Sequence, residues 1–208
     1  MSGAWPWVTD AKRVLREPAR FDGTHMAKLH REACFLDAIP PRAGDAPVTS
    51  DTCPHCMLTQ QAPLALQRLY HARATDLMSE SHPEVRVTQR SAEMSTAAAS
   101  CFMLSEAVRL PAGLPDTAHV REFTRIHTQY QPEWERTARQ GCGGGALHAT
   151  LAPRDARTLV AAGWAEWHPL ASASHPLVLV YAPRSEAEME LCLRVLDVSR
   201  RFMLSSNF

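Results

Sequence analysis

The chain has 208 residues, enough for one domain with a substantial core. Apolar residues make up 45% and charged residues 21%, a globular balance that excludes a disordered chain. Lys+Arg and Asp+Glu stand at 22 each, and this zero net charge, with no basic run, argues against nucleic acid or an anionic membrane surface as a partner.

Residues 1–22 read as an N-terminal arm, in which Trp5, Pro6 and Trp7 belong to no periodic pattern. Met1 to Arg16 lack the apolar centre of a secretory signal. The most apolar stretch, Ala97–Leu104, is far short of a membrane span, so a cytoplasmic protein is expected. From the N-cap residue Thr24, the positions Met26, Leu29, Ala33 and Leu36 recur at helical spacing and predict a helix. Ile39–Asp51 contains Pro40, Pro41, Gly44 and Pro47 and reads as an extended loop. Gln60–Ser79 predicts a second helix, with Leu66, Leu69, Arg73 and Leu77 on one face. Val85–Arg90 alternates as a strand does, and Ala98–Leu110 is read as a second strand, although its alanines would also suit a helix.

Val120–His127 alternates and permits a strand, and a polar loop then runs to Gly143, Gly144 and Gly145. Ala146–Leu151 is a short strand. Pro153 opens a helix and Gly163 closes it, each at the end that suits it. Leu177–Tyr181 is a strongly apolar strand. Ser185 and Glu188 make a capping box for a last helix to about Phe202, with Met189, Leu193, Leu196 and Arg200 at helical spacing. There is no internal repeat and no clean linker. The expected architecture is an α+β fold: one domain over residues 23–208, with helices packed on a small mixed or antiparallel sheet built mainly from the C-terminal half.

Six cysteines (Cys34, Cys53, Cys56, Cys101, Cys142 and Cys192) are scattered apart from one close pair, which argues for free thiols. That pair, in Cys53-Pro54-His55-Cys56, could be half a zinc site or a redox pair. No second C-x-x-C accompanies it, so it is read as incidental. Gly143–Gly145 make no phosphate loop, since no Lys-Ser or Lys-Thr follows. No G-x-S-x-G elbow is present, which argues against a serine hydrolase of the α/β type.

A more specific pattern lies in the C-terminal half. Ala146-Leu147-His148-Ala149-Thr150-Leu151 is followed by Gly163-Trp164-Ala165-Glu166-Trp167-His168-Pro169-Leu170, then by Leu179-Val180-Tyr181-Ala182-Pro183-Arg184 and an acidic helix start. Arg121-Glu122-Phe123 and Ile126-His127 stand upstream. This order resembles the fungal luciferase-like family, typified by an enzyme that oxidises 3-hydroxyhispidin. The resemblance is strong over residues 118–204. It continues more weakly through Phe35-Leu36-Asp37-Ala38-Ile39-Pro40, Arg42, Gly44, Pro47, Glu93 and Phe102-Met103-Leu104. Three departures matter. The luminous enzyme's N-terminal membrane segment has no counterpart here. Arg125 stands where the family commonly has a second histidine, and the stretch between His127 and His148 is longer by roughly a dozen residues, an insertion placed to reshape a pocket mouth. Light emission does not carry over.

His127, His148 and His168 are the leading candidates for chemistry. Three short segments would aim three imidazoles at one cavity, where a ring titrating near neutrality can take a proton from a phenol or enol and return it. The same three could hold zinc, copper or iron, or each could simply stabilise a turn. Arg184, beside the start of the last helix, could clamp a carboxylate, enolate or peroxide, or form an ion pair with Glu186 or Glu188. Tyr181 could donate to the same anion, and Trp164 and Trp167 could stack on a flat substrate or be core. Phe123 and Arg125, on the strand of His127, complete the candidate substrate-binding set.

The expected function is an enzyme acting on an aromatic, pyrone or polyketide-type molecule of secondary metabolism. The resemblance implies oxygenase-like chemistry without an organic cofactor, with molecular oxygen as co-substrate and a metal ion left open. A non-oxidative cyclase or isomerase and a carrier of a hydrophobic metabolite are the alternatives. The expected partner is a small molecule; a homodimer is left open.

Overall fold

A computed structural model describes residue 30 and residues 33–50, 55–79, 82–91, 98–127, 144–172 and 174–207. The N-terminal arm, most of the first predicted helix and the insertion after His127 lie outside the described residues. Within them the architecture is α+β. Six strands form one sheet: β1 (Val85–Ser91), β2 (Ala98–Leu104), β3 (Glu122–His127), β4 (Leu147–Thr150), β5 (Ala165–Trp167) and β6 (Leu177–Val180). Their order is β1-β2-β3-β4-β6-β5, and every neighbouring pair is antiparallel. The helices are α1 (Leu64–Ser79), the short α2 (Ala118–Arg121), α3 (Pro153–Ala161) and α4 (Glu186–Leu204). Among the described residues, no helix is long and apolar enough to cross a membrane.

The register divides the sheet into two unlike faces. Val87 pairs with Phe102, Ile126 with Leu147, Leu147 with Val180 and Val180 with Ala165. Directly paired residues point to the same side. These positions therefore share one face, which packs on α1 and α4 in the main core. The alternate positions carry Thr88, Cys101, Arg125, His148, Leu179 and Glu166 in one cross-strand row on the other face. Over β4, β5 and β6 that face is covered by residues 48–50 and 55–62, whose Met57 and Ala62 pack with Ala146, Leu179, Tyr181 and Ala182. The Thr49–Met57 bridge closes this cover on itself, and the Ala62 N–H to the Gly144 carbonyl (2.8 Å) fastens it beside β4.

Helix α4 starts as its sequence predicts. Ser185 Oγ accepts from the Glu188 N–H at 3.3 Å, and the Glu188 carboxylate accepts from the Arg184 N–H at 2.8 Å. Ser199 Oγ then donates to the Thr150 carbonyl at 2.6 Å and ties this helix to β4. Pro153 and Gly163 (φ +76°) bracket α3 as expected, and its buried Asp155 accepts the N–H groups of Phe35 and Leu36 at 3.0 and 3.2 Å.

Four expectations need correction. Ala33–Leu36 is not helical: Asp155 claims its backbone donors and holds it extended. Helix α1 buries Gln67, Tyr70, Ala74 and Met78, while Leu69 and Leu77 face outward; the larger aromatic and thioether side chains take the packed stripe. Residues 118–121 form a helical turn capped by Thr117 before β3 begins, and β2 ends at Leu104 instead of running to Leu110. The sheet also includes β5, which pairs with β6.

Candidate active site

On the polar face, four imidazoles meet. His148 projects from β4, His127 ends β3, His168 follows β5, and His55 comes from the covering segment. All are buried, with 1% exposure at His55, 2% at His127, 3% at His168 and 9% at His148. The rings touch directly. Centroids lie 4.4 Å apart for His127 and His148, 4.5 Å for His148 and His168, and 5.2 Å for His55 and His168, all in edge-to-face arrangements. The three predicted histidines are thus brought together, with a fourth. They form a packed cluster and not a ring around an open hollow. A cavity of about 510 Å³ does lie on this molecule, but at the β1–β2 end, lined by Arg86, Thr88, Met103, Asp116 and Arg121 among others.

Hydrogen-bond donors fix the tautomers. His148 Nε2 stands 2.9 Å from the His55 carbonyl, which can only accept, so Nε2 carries the proton and Nδ1 offers a lone pair. His127 Nε2, 3.4 Å from that Nδ1, must donate to it. Among the described residues, His127 Nδ1 is then left as a buried lone pair with no partner. His168 Nδ1 accepts from the Leu170 N–H at 3.0 Å, which leaves its proton on Nε2. Burial, and then the charge of Arg125 and of His55, lowers the pKa of His127 to about 3. Burial and neighbouring positive groups hold His148 and His168 well below the usual range as well. These three rings are neutral at ordinary pH.

A three-histidine metal site does not fit this donor set. His148 spends both nitrogens on neighbours and His168 spends Nδ1 on the backbone, so three free lone pairs do not converge. Among the described residues, no group of three His, Cys, Asp or Glu side chains is arranged to hold a metal.

Glu166 is a hub at the edge of the cluster. Its Oε1 accepts from Thr49 Oγ1 at 2.6 Å and lies 2.7 Å from His55 Nε2 in a bent contact; its Oε2 accepts from the Tyr181 hydroxyl at 3.1 Å. Burial works to raise the Glu166 pKa, yet His55, Thr49 and Tyr181 together outweigh it and hold the carboxyl below its usual range. The Arg42 guanidinium stacks over the Tyr181 ring at 5.3 Å.

The remaining candidates fall elsewhere. Arg184 binds Glu188 through Nε at 2.9 Å and Nη2 at 2.5 Å, and its Nη1 donates to the Ala43 carbonyl at 2.8 Å. Of its two readings, the ion pair is the one observed. The cation next to the imidazoles is Arg125, directly opposite His148 in the register and held by Glu122 at 2.6 Å. Trp164 and Trp167 belong to the main core, and Trp164 Nε1 donates to the Pro40 carbonyl at 2.7 Å. Phe123 is fully buried in that core. All three aromatics pack in the main core. Tyr181 is in place, donating to Glu166.

Two functional candidates, His55 and Glu166, escaped the sequence reading. His55 sat inside a C-x-x-C read as incidental. Glu166 lay in a short strand that only pairing with β6 reveals. The free-thiol expectation also fails next door at Cys56, which is disulfide-bonded, whereas Cys34, Cys101 and Cys192 are thiols.

A family model described as the luciferase domain matches residues 141–199, which contain His148, Glu166 and His168. Proteins called luciferase from Armillaria ostoyae, Armillaria mellea and Armillaria gallica are each 26% identical over 185 residues, or 85% of this chain. The chain spans 65% of the length of these relatives. No solved structure matches it.

Proposed function

We propose that this chain, a member of the fungal luciferase-like family, is an oxygenase-type enzyme acting on a hydroxylated aromatic, pyrone or polyketide-type small molecule. The observation that carries the reading is the free lone pair of His127 Nδ1 at the end of a hydrogen-bonded imidazole pair. An enol or phenol at that edge of the cluster gives its proton to Nδ1. The charge this creates is shared through Nε2–H with His148, whose own proton points at the His55 carbonyl.

The lowered basicity of the cluster sets a condition on the substrate. Burial penalises an imidazolium here, so proton transfer requires the substrate anion to stay beside the ring it has charged. Arg125, on the same face, supplies a second positive group for that anion. An electron-rich enolate can then reduce dioxygen. Its carbon forms a bond to one oxygen, and the resulting peroxide anion takes the proton back from His127 as a hydroperoxide. No organic cofactor is needed for this balance. Dry surroundings favour it, because electrostatic interactions strengthen where water is excluded.

The test is oxygen uptake by the purified full chain across hydroxypyrones and polyphenols, with His127→Gln alongside. Uptake that falls at least a hundredfold in the variant is expected, the scale of a lost general base. Turnover that continues without oxygen would replace this reading with a non-oxidative isomerase or cyclase. Tight binding of such compounds with no turnover would make the protein a carrier.

A further inference from the structure

We infer that the cavity at the β1–β2 end of the sheet holds the non-reacting part of the substrate, a neutral hydroxylated aromatic ring, and that Arg86 and Met103 are the residues that select it.

The imidazole cluster leaves the body of such a molecule to be held elsewhere. Its rings pack edge to face, so a substrate reaches only their border. The cavity of about 510 Å³ falls in the range of roughly 300–1,000 Å³ typical of small-molecule pockets. It also lies on the same face of the sheet. Thr88, in its wall, stands in the cross-strand row of Cys101, Arg125 and His148, and Arg86, two residues earlier, shares that side. Arg86 pairs with Met103, and Met103 pairs with Glu122, whose carboxylate holds Arg125. Cavity, Arg125 and imidazoles therefore follow one another across β2, β3 and β4. Two strand spacings, about 10 Å, separate β2 from β4, a length that a molecule of two rings covers.

Part of the wall is fixed by a buried cation. Arg121, 8% exposed, grips Asp116 through Nε at 2.7 Å and Nη2 at 2.8 Å, and its Nη1 donates to the carbonyls of Ser105 and Val108 at 2.7 and 3.2 Å. These bonds tie the loop after β2 to α2 and pair the two charges with each other. Arg86 and Glu106 are the other charged side chains of the wall, both exposed, and neither makes an ion pair among the described residues. A carboxylate placed there would meet Glu106, and an ammonium would meet Arg86. A phenolic hydroxyl suits both, accepting from the guanidinium and donating to the carboxylate. The half-buried Met103, directly opposite Arg86, offers the ring an apolar, polarisable contact. The inference rests on the proposed reading for which end of the molecule reacts, but not for where the ring is held.

The test uses umbelliferone, a hydroxylated two-ring lactone, as the probe, at slightly acidic pH where its hydroxyl keeps its proton. The readout is the Met103 methyl resonance in the full chain labelled with 13C-methyl methionine, assigned by its loss in Met103→Leu. Binding should shift this resonance. Coumarin, which lacks the hydroxyl, should bind about tenfold more weakly, and Arg86→Ala should raise the dissociation constant of umbelliferone by a similar factor. Ala118→Trp, which fills the cavity from the exposed start of α2, should abolish binding. On any substrate turned over, Arg86→Ala should raise KM with kcat little changed. Umbelliferone that binds without moving Met103, that binds Ala118→Trp equally well, or that fails to bind at millimolar concentration overturns the inference. The coumarin comparison is made on the unmodified chain and needs no variant to fold; equal affinity for the two probes also counts against the inference. Binding in the cavity with no oxygen uptake from any hydroxypyrone would remove the proposed activity and leave the site standing.

Discussion

His127 donates from Nε2 to Nδ1 of His148 across 3.4 Å, with the two rings nearly perpendicular at 65°. The contact joins the end of β3 to the middle of β4 within one antiparallel ladder. Gly145, in the left-handed region at φ +88°, makes the close approach by donating its N–H to the His127 carbonyl at 2.6 Å. The catalytic proposal and several measurable properties descend from this arrangement.

Stability should fall as the solution is acidified from neutrality. His127 and His175 have pKa values lowered to about 3, and His148 and His168 are also lowered, by burial first in every case. Below about 6.5 the unfolded chain takes up protons at these sites that the folded chain refuses. The stabilisation is therefore full above pH 6.5 and is lost as pH drops toward 3. Each ring contributes up to about 1.4 kcal/mol per pH unit in that window. Urea unfolding at pH 7.5 and pH 5 should give a clearly lower midpoint at pH 5, and His175→Gln should reduce the difference. Equal midpoints would contradict buried neutral rings.

Arg125 and Arg184 should separate cleanly. Arg184 is one-third exposed and paired with Glu188 at the head of α4, so Arg184→Gln should cost about 1 kcal/mol or less in stability. Arg125→Gln should weaken turnover or anionic product binding by about tenfold, because its charge faces His148 and His127. Steady-state kinetics of the two variants on one substrate decide between them. A larger catalytic loss at Arg184 would restore it as the anion clamp.

Asp155→Ala should destabilise the chain by about 2–4 kcal/mol. The fully buried carboxylate accepts the backbone N–H groups of both Phe35 and Leu36, and its removal strands two donors away from water. Thermal unfolding gives the magnitude. A loss under about 0.5 kcal/mol would mean that the segment at residues 33–36 does not dock on α3 in solution.

Gly144→Ala should loosen the cover over the imidazoles. Gly144 sits at φ +89°, and a Cβ there would lie 2.5 Å from Gln61 Cγ. A backbone strain of about 1–3 kcal/mol adds to the displacement of that side chain. Faster hydrogen exchange at the Ala62 amide, which donates to the Gly144 carbonyl, is the expected signature. Unchanged exchange would show that the cover is held from elsewhere.

Much of the scaffold could be read from the chain alone. Alternation marked β1 and β3, Pro153 and Gly163 bracketed α3, and Ser185 with Glu188 announced α4, because caps and strand periodicity are local. The ordered motifs at His148, Glu166–His168 and Tyr181–Arg184 pointed to the family for the same reason: they are contiguous in sequence. Helix α1 was placed well but turned wrongly, since which stripe is buried depends on what it meets. The site itself was only half legible. That His127, His148 and His168 converge could be anticipated, but the choice of Glu188 over a ligand for Arg184 required distances. The recruitment of His55 and Glu166 depended on strand register and on a covering segment 93 residues before His148. Local propensity fixes elements within a few residues of chain. Charge, tautomer and burial are set by groups that only folding brings within a hydrogen bond of one another, and those were the properties left for the tertiary structure to decide.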